Sequence, residues 1–118
     1  MSIEINRDFI DSLEEDILEG RKEKYQDFIN DGHPADIAEI VDKLDKVAAE
    51  ILFRSLDKEL GAEVLMEIDE DLRAKFLEGY NGQEIASDII ENLDSDDAAD
   101  LINELPNAQR REVLNSIK

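Results

Sequence analysis

At nearly regular intervals the chain repeats one event, in which an apolar residue is followed by a residue suited to starting a helix. It occurs at Leu44-Asp45, Leu56-Asp57, Ile68-Asp69, Tyr80-Asn81, Leu93-Asp94 and Leu105-Pro106, in steps of 12, 12, 12, 13 and 12 residues. Asp and Asn are good N-caps because a side-chain oxygen accepts from a first-turn N–H that has no partner inside the helix. Pro suits the first helical position, where its missing N–H is not needed. Between these points apolar residues recur three and four apart: Ile37, Ile40, Val41 and Leu44; Ile51, Leu52 and Leu56; Val64, Leu65 and Ile68. The pattern continues through Ile85, Ile89, Ile90 and Leu93, then Leu101, Ile102 and Leu105, then Val113, Leu114 and Ile117. Each run is one amphipathic helical stripe, and no stretch alternates as a strand would. The beat predicts helices of about ten residues joined by tight turns.

A compact bundle would want longer helices. A helix pair every 24 or 25 residues instead marks a short solenoid, whose units bury their stripes mainly against their neighbours. Small residues recur with the aliphatics in Asp36-Ile37-Ala38-Glu39-Ile40, Ala62-Glu63-Val64-Leu65, Glu84-Ile85-Ala86 and Ala98-Ala99-Asp100-Leu101, and would let helices approach closely. The start of the chain differs. Phe9, Leu13, Ile17 and Leu18 form one stripe, and Tyr25, Phe28 and Ile29 a second, with Gly20 between them. The expected organisation is therefore a single all-α domain over residues 1–118, with lead-in helices in 1–30 and helical repeats in 31–118. Asp31-Gly32-His33-Pro34 separates the two parts with a turn signal.

The charge narrows what such a domain can do. With 32 acidic and 13 basic residues the net charge is −19, which opposes phosphate backbones and argues against a nucleic-acid partner. There is no cysteine, which removes disulfides, thiolate nucleophiles and Cys-ligated zinc and suits a reducing, cytosolic compartment. No run of about 18 apolar residues suggests a membrane span. The single histidine, His33, sits in a turn before a proline. It is expected to cap or pack beside a helix end rather than to catalyse, so the chain does not read as an enzyme. No phosphate-cradling glycine motif and no H-E-x-x-H is present.

Residues 57–106 hold 16 acidic and 3 basic residues, and the densest part is Asp94-Ser95-Asp96-Asp97-Ala98-Ala99-Asp100. It is not an EF-hand loop, since the required glycine and closing glutamate are replaced by Ala99 and Leu105. If Asp94 caps a helix, then Asp94, Asp96 and Asp97 can complement the positive helix N-terminus, each by about 0.3–1 kcal/mol. Asp100 lies a turn further in, four residues from Asp96, where the two carboxylates repel across roughly 6 Å. A hard divalent cation taking carboxylate and water oxygens would relieve that repulsion. A solvated acidic face is the other reading, and the residues alone leave the ion open among magnesium, calcium and manganese.

In the order and spacing of His33-Pro34-Ala35-Asp36-Ile37-Ala38-Glu39-Ile40, Ala62-Glu63-Val64-Leu65 and Leu93-Asp94-Ser95-Asp96-Asp97-Ala98-Ala99-Asp100-Leu101, the sequence resembles the cytosolic N-terminal domain of the MgtE family of magnesium transporters. The resemblance runs from about Phe9 onward. It implies a right-handed superhelical solenoid, here of about 8–10 short helices, that catalyses nothing. In the whole protein it would be followed by a pair of CBS domains, a connecting helix and a transmembrane pore.

What the resemblance implies for function is magnesium sensing. Ions held between acidic residues of the N and CBS domains at high intracellular magnesium favour the closed pore; at low magnesium the carboxylates repel and the N domain swings away. Carried over by position, the ion-contacting residues fall on Asp96 and Asp100, with Glu63 as a third candidate. The implied setting is the cytoplasmic side of the cell membrane, in a full-length protein that is homodimeric largely through its other domains. An isolated N domain, excised or stand-alone, would hold magnesium weakly, on the order of millimolar, because two carboxylates of one helix are half a site. The competing class is an acidic helical-repeat scaffold for protein–protein contacts, which would need exposed anchors such as Phe53, Phe76 or Tyr80.

Overall fold

The computed structural model describes residues 4–117. Among the described residues there is no strand, and nine α-helices fall within the expected number. They are α1 (Arg7–Leu18), α2 (Gln26–Asn30), α3 (Pro34–Lys43), α4 (Lys46–Ser55), α5 (Lys58–Glu67), α6 (Glu70–Leu77), α7 (Gly82–Glu84), α8 (Ser95–Glu104) and α9 (Asn107–Ser116).

Local chemistry explains where most of them start. Asp45, Asp57, Asp69, Asn81 and Asp94 all occupy N-cap positions. Asp45 accepts from the Val47 N–H, Asp69 from those of Asp71 and Leu72, and Asn81 and Glu84 cap one another reciprocally. Asp57 and Asp94 hold the cap position without a side-chain cap hydrogen bond. Pro106 departs from expectation: it is the N-cap of α9 rather than its first helical residue, with an extended ψ of 151°. The proline at the start of a helix is Pro34, behind His33, whose exposed ring makes no cap hydrogen bond.

The 13-residue step has a structural counterpart. After α7 the chain makes a π-helical turn, Ile85–Ile89, and a 3-10 turn, Ile90–Asn92, before the cap of α8. A π-turn takes up one extra residue without breaking the helix. The beat is therefore kept on both sides.

Alternate helices share a row. α3, α5, α7 and α9 begin at residues 34, 58, 82 and 107; α3 packs on α5 and α7 on α9, and the π-turn that continues α7 packs on both α5 and α9. α4, α6 and α8 follow between them; α4 meets α6 through stacked Phe53 and Phe76, centroids 4.9 Å apart. The result is an elongated body of 43 × 26 × 23 Å, compatible with the expected solenoid. Ala38 on α3, Ala62 on α5 and Ala86 in the π-turn after α7, 24 residues apart, are buried and let the backbones approach. Gly82 does the same at the end of the row, since a Cβ there would lie 2.9 Å from the Val113 backbone nitrogen.

The core follows the stripes: Ile37, Ile40, Leu52, Val64, Leu65, Ile85, Leu101 and Val113 are sealed from solvent. Fully burying one such side chain contributes about 1.5–3 kcal/mol. Leu18, Ile51, Leu114 and Ile117 do not join them and stand exposed. Ile51 and Leu114 each neighbour a sealed residue, Leu52 and Val113, so they lie at the edge of the stripe where the helix turns toward water. In the lead-in, Ile10, Leu13 and Ile17 carry the buried face of α1, and Gly20 takes the left-handed φ of 75° in the turn after it.

Candidate functional site

α8 carries four acidic residues and no basic one. α3, α4 and α5 each bury four residues, whereas α8 buries only Leu101 among its own. Asp94 provides the extended residue before it, and Asp96 and Asp97 fall in its first turn. Asp96 and Asp100 are exposed, four residues apart on one face, and neither takes part in an ion pair among the described residues. Asp97 is half-buried.

None of the cations in the surrounding stretch of chain pairs with Asp96 or Asp100. Residues 57–106 contain Lys58, Arg73 and Lys75. Lys58 pairs with Asp88 at 3.0 Å and Arg73 with Glu104. Lys75 lies beside Lys46, and this second donor of like charge holds the Lys46 ammonium below the usual lysine range. The start of α8 is thus left with uncompensated negative charge.

The structure brings Asp96 and Asp100 together but does not add Glu63 to form a closed site. Glu63 is exposed on α5, and among the described residues no three His, Cys, Asp or Glu side chains gather so as to hold a metal. Two exposed monodentate carboxylates suit a hard, largely hydrated cation that draws further ligands from elsewhere.

The other end of α8 holds the residues that the pattern of apolar spacing did not single out. Arg73, the one buried charged residue among those described, grips Glu104 with two parallel hydrogen bonds, Nε to Oε1 at 2.8 Å and Nη2 to Oε2 at 2.9 Å. Its Nη1 donates to the carbonyls of Leu65 and Ile68, at 3.1 and 2.8 Å, which the end of α5 leaves unpaired. Arg110 reaches back from α9 and donates to the carbonyls of Ile102, Asn103 and Leu105. A signal for Arg73 exists in the repeat itself. The fourth residue of α4 is Ala49 and that of α8 is Ala98, so Arg73 in α6 stands where the repeat otherwise takes a small residue.

The expected aromatic anchors are used internally. Phe53 and Phe76 are buried, and Tyr80 lies edge-on to Phe53 at 6.4 Å under the Arg54 guanidinium. These three side chains are therefore core members and not surface anchors.

The profile of the MgtE intracellular N domain matches residues 32–118. The chain belongs to this family. As an MgtE N domain it is a cytosolic part of a magnesium transporter, a class of transporter domains rather than of enzymes. No helix of the described residues is long and apolar enough to cross a membrane. No curated protein and no solved structure matches the chain.

Proposed function

We propose that this MgtE N domain senses intracellular magnesium through Asp96 and Asp100, with Glu63 as a further contact, at an interface with the CBS domains of the same full-length protein. The observation that carries the reading is the exposed first half of α8, where two carboxylates on one face have no cationic partner. Oxygen donors of this kind suit magnesium, which keeps several waters and takes one or two protein carboxylates. A bound ion cancels the repulsion and lets a second acidic surface approach; its loss restores the repulsion and drives the surfaces apart. High magnesium then favours the closed pore of a membrane-embedded homodimer, and low magnesium its opening.

The test is a magnesium titration of this chain followed by NMR amide shifts, against calcium and against sodium chloride at equal ionic strength. Saturable shifts confined to α8, absent with sodium, are expected with a dissociation constant on the order of millimolar. Small shifts spread over the whole acidic surface would overturn the half-site on α8.

A further inference from the structure

We propose that Arg73 is the positioning residue for the acidic face of α8: through Glu104 it sets the direction in which Asp96 and Asp100 point. The proposal deepens the magnesium-sensing reading and rests on it for the role of those two aspartates, while the positioning itself is a property of the fold.

Asp96, Asp100 and Glu104 follow one another at intervals of four along a single stripe of α8. On a helix such residues share a face, so fixing the direction of one fixes the others to within the small drift per turn. Glu104 is the member that is fixed. A guanidinium held to a carboxylate by two parallel hydrogen bonds constrains angle as well as distance. Arg73 is itself immobilised, with its side chain only 9% exposed and its remaining amino group on the carbonyls of Leu65 and Ile68.

Of its own residues α8 seals only Leu101, with Ala98 and Ile102 partly buried against the core, where α3, α4 and α5 each bury four. A buried arginine at a position that takes Ala in α4 and α8 also carries a desolvation cost that an alanine would not. The clamp adds to this non-directional apolar packing a constraint of fixed angle, and so a single rotational setting for the helix. Arg73 also tells the carboxylates apart: it consumes the last of the three on the stripe and leaves the first two uncompensated.

The chain has no cysteine, so spin labels can be placed at will. Labels at Asp42→Cys on α3 and Ala99→Cys on α8, both exposed sites, report the pose of α8 as a distance distribution. Two variants probe the clamp. Arg73→Lys keeps the charge and loses the fork, and Arg73→Met with Glu104→Leu removes both charges at similar volume, so that folding is retained. Both are expected to broaden or shift the distribution. Each is also expected to raise the magnesium concentration that half-saturates the shifts of Asp96 and Asp100 by roughly 10-fold, the lower end of the loss when a ligand's orienting partner is removed.

An unchanged distance distribution in the two folded variants overturns the positioning role whatever magnesium does. A changed distribution with an unchanged magnesium response, in a parent chain that binds, overturns the link to the aspartates. A parent chain that shows no α8 response breaks the half-site reading instead, and the distance distribution then decides the positioning role alone.

Discussion

The two halves of α8 carry the same kind of charge and hold it in opposite ways. In the first half Asp96 and Asp100 stand in water with no cationic partner, and Asp94 does not even spend its carboxylate on a cap hydrogen bond. One turn beyond Asp100, Glu104 is gripped by a buried arginine, and the carbonyls that end the helix are taken by Arg110. The contrast teaches that charge density by itself does not define a site. What matters is which carboxylates the fold has already paired, because an exposed unpaired group is free to meet a cation or a partner and a clamped one is not.

The contrast can be broken most forcefully at Arg73. Arg73→Ala leaves Glu104 partly buried without its cation and two α5 carbonyls without a donor, and is expected to lower the unfolding free energy by about 3–5 kcal/mol. Urea melts of the two proteins at equal salt measure it. A loss within the range of exposed pairs, about 0–1 kcal/mol, would mean the clamp behaves like a surface ion pair.

Arg110→Ala attacks the same end more gently. It strips donors from three carbonyls that water can partly serve, so a loss of about 1–3 kcal/mol is expected, with faster amide exchange in the last turn of α8. Exchange that stays slow there would show that α9 packing alone holds the helix end.

The first half is sharpened by the ion. At tenfold excess over its dissociation constant, magnesium bound only to the folded state adds about 1.4 kcal/mol and raises the melting temperature beyond what sodium chloride does at matched ionic strength. Equal effects of the two salts would leave only general screening. The smallest effect belongs to the aspartates themselves. Asp96→Asn together with Asp100→Asn should stabilise the chain in magnesium-free, low-salt buffer by about 0.2–0.5 kcal/mol, as the i, i+4 repulsion disappears. A measurable fall in melting temperature would instead show that these charges serve the helix N-terminus.

Much of the fold was legible without coordinates. The caps at Asp45, Asp57, Asp69, Asn81 and Asp94 and the buried positions Ile37, Leu52, Leu65 and Leu101 are local or periodic properties. Three and four residue spacing read less well at stripe edges, which is why Ile51, Leu114 and Ile117 were expected inside and lie outside. Asp96 and Asp100 were legible as a pair because helical geometry puts i and i+4 on one face. Their lack of a counter-ion was not, since it depends on where Lys58, Arg73 and Lys75 reach.

The sequence by itself determined that the chain would be a row of short capped helices, because N-caps and 3.6-residue periodicity act within one or two turns. Only the tertiary structure decided that the extra residue of the long step would become a π-turn, and that Arg73 would find Glu104 rather than Asp100. Those outcomes rest on helices 31 residues apart meeting at a particular angle. A side chain can choose a partner only after packing has brought candidates within hydrogen-bond reach, and no local pattern encodes that distance.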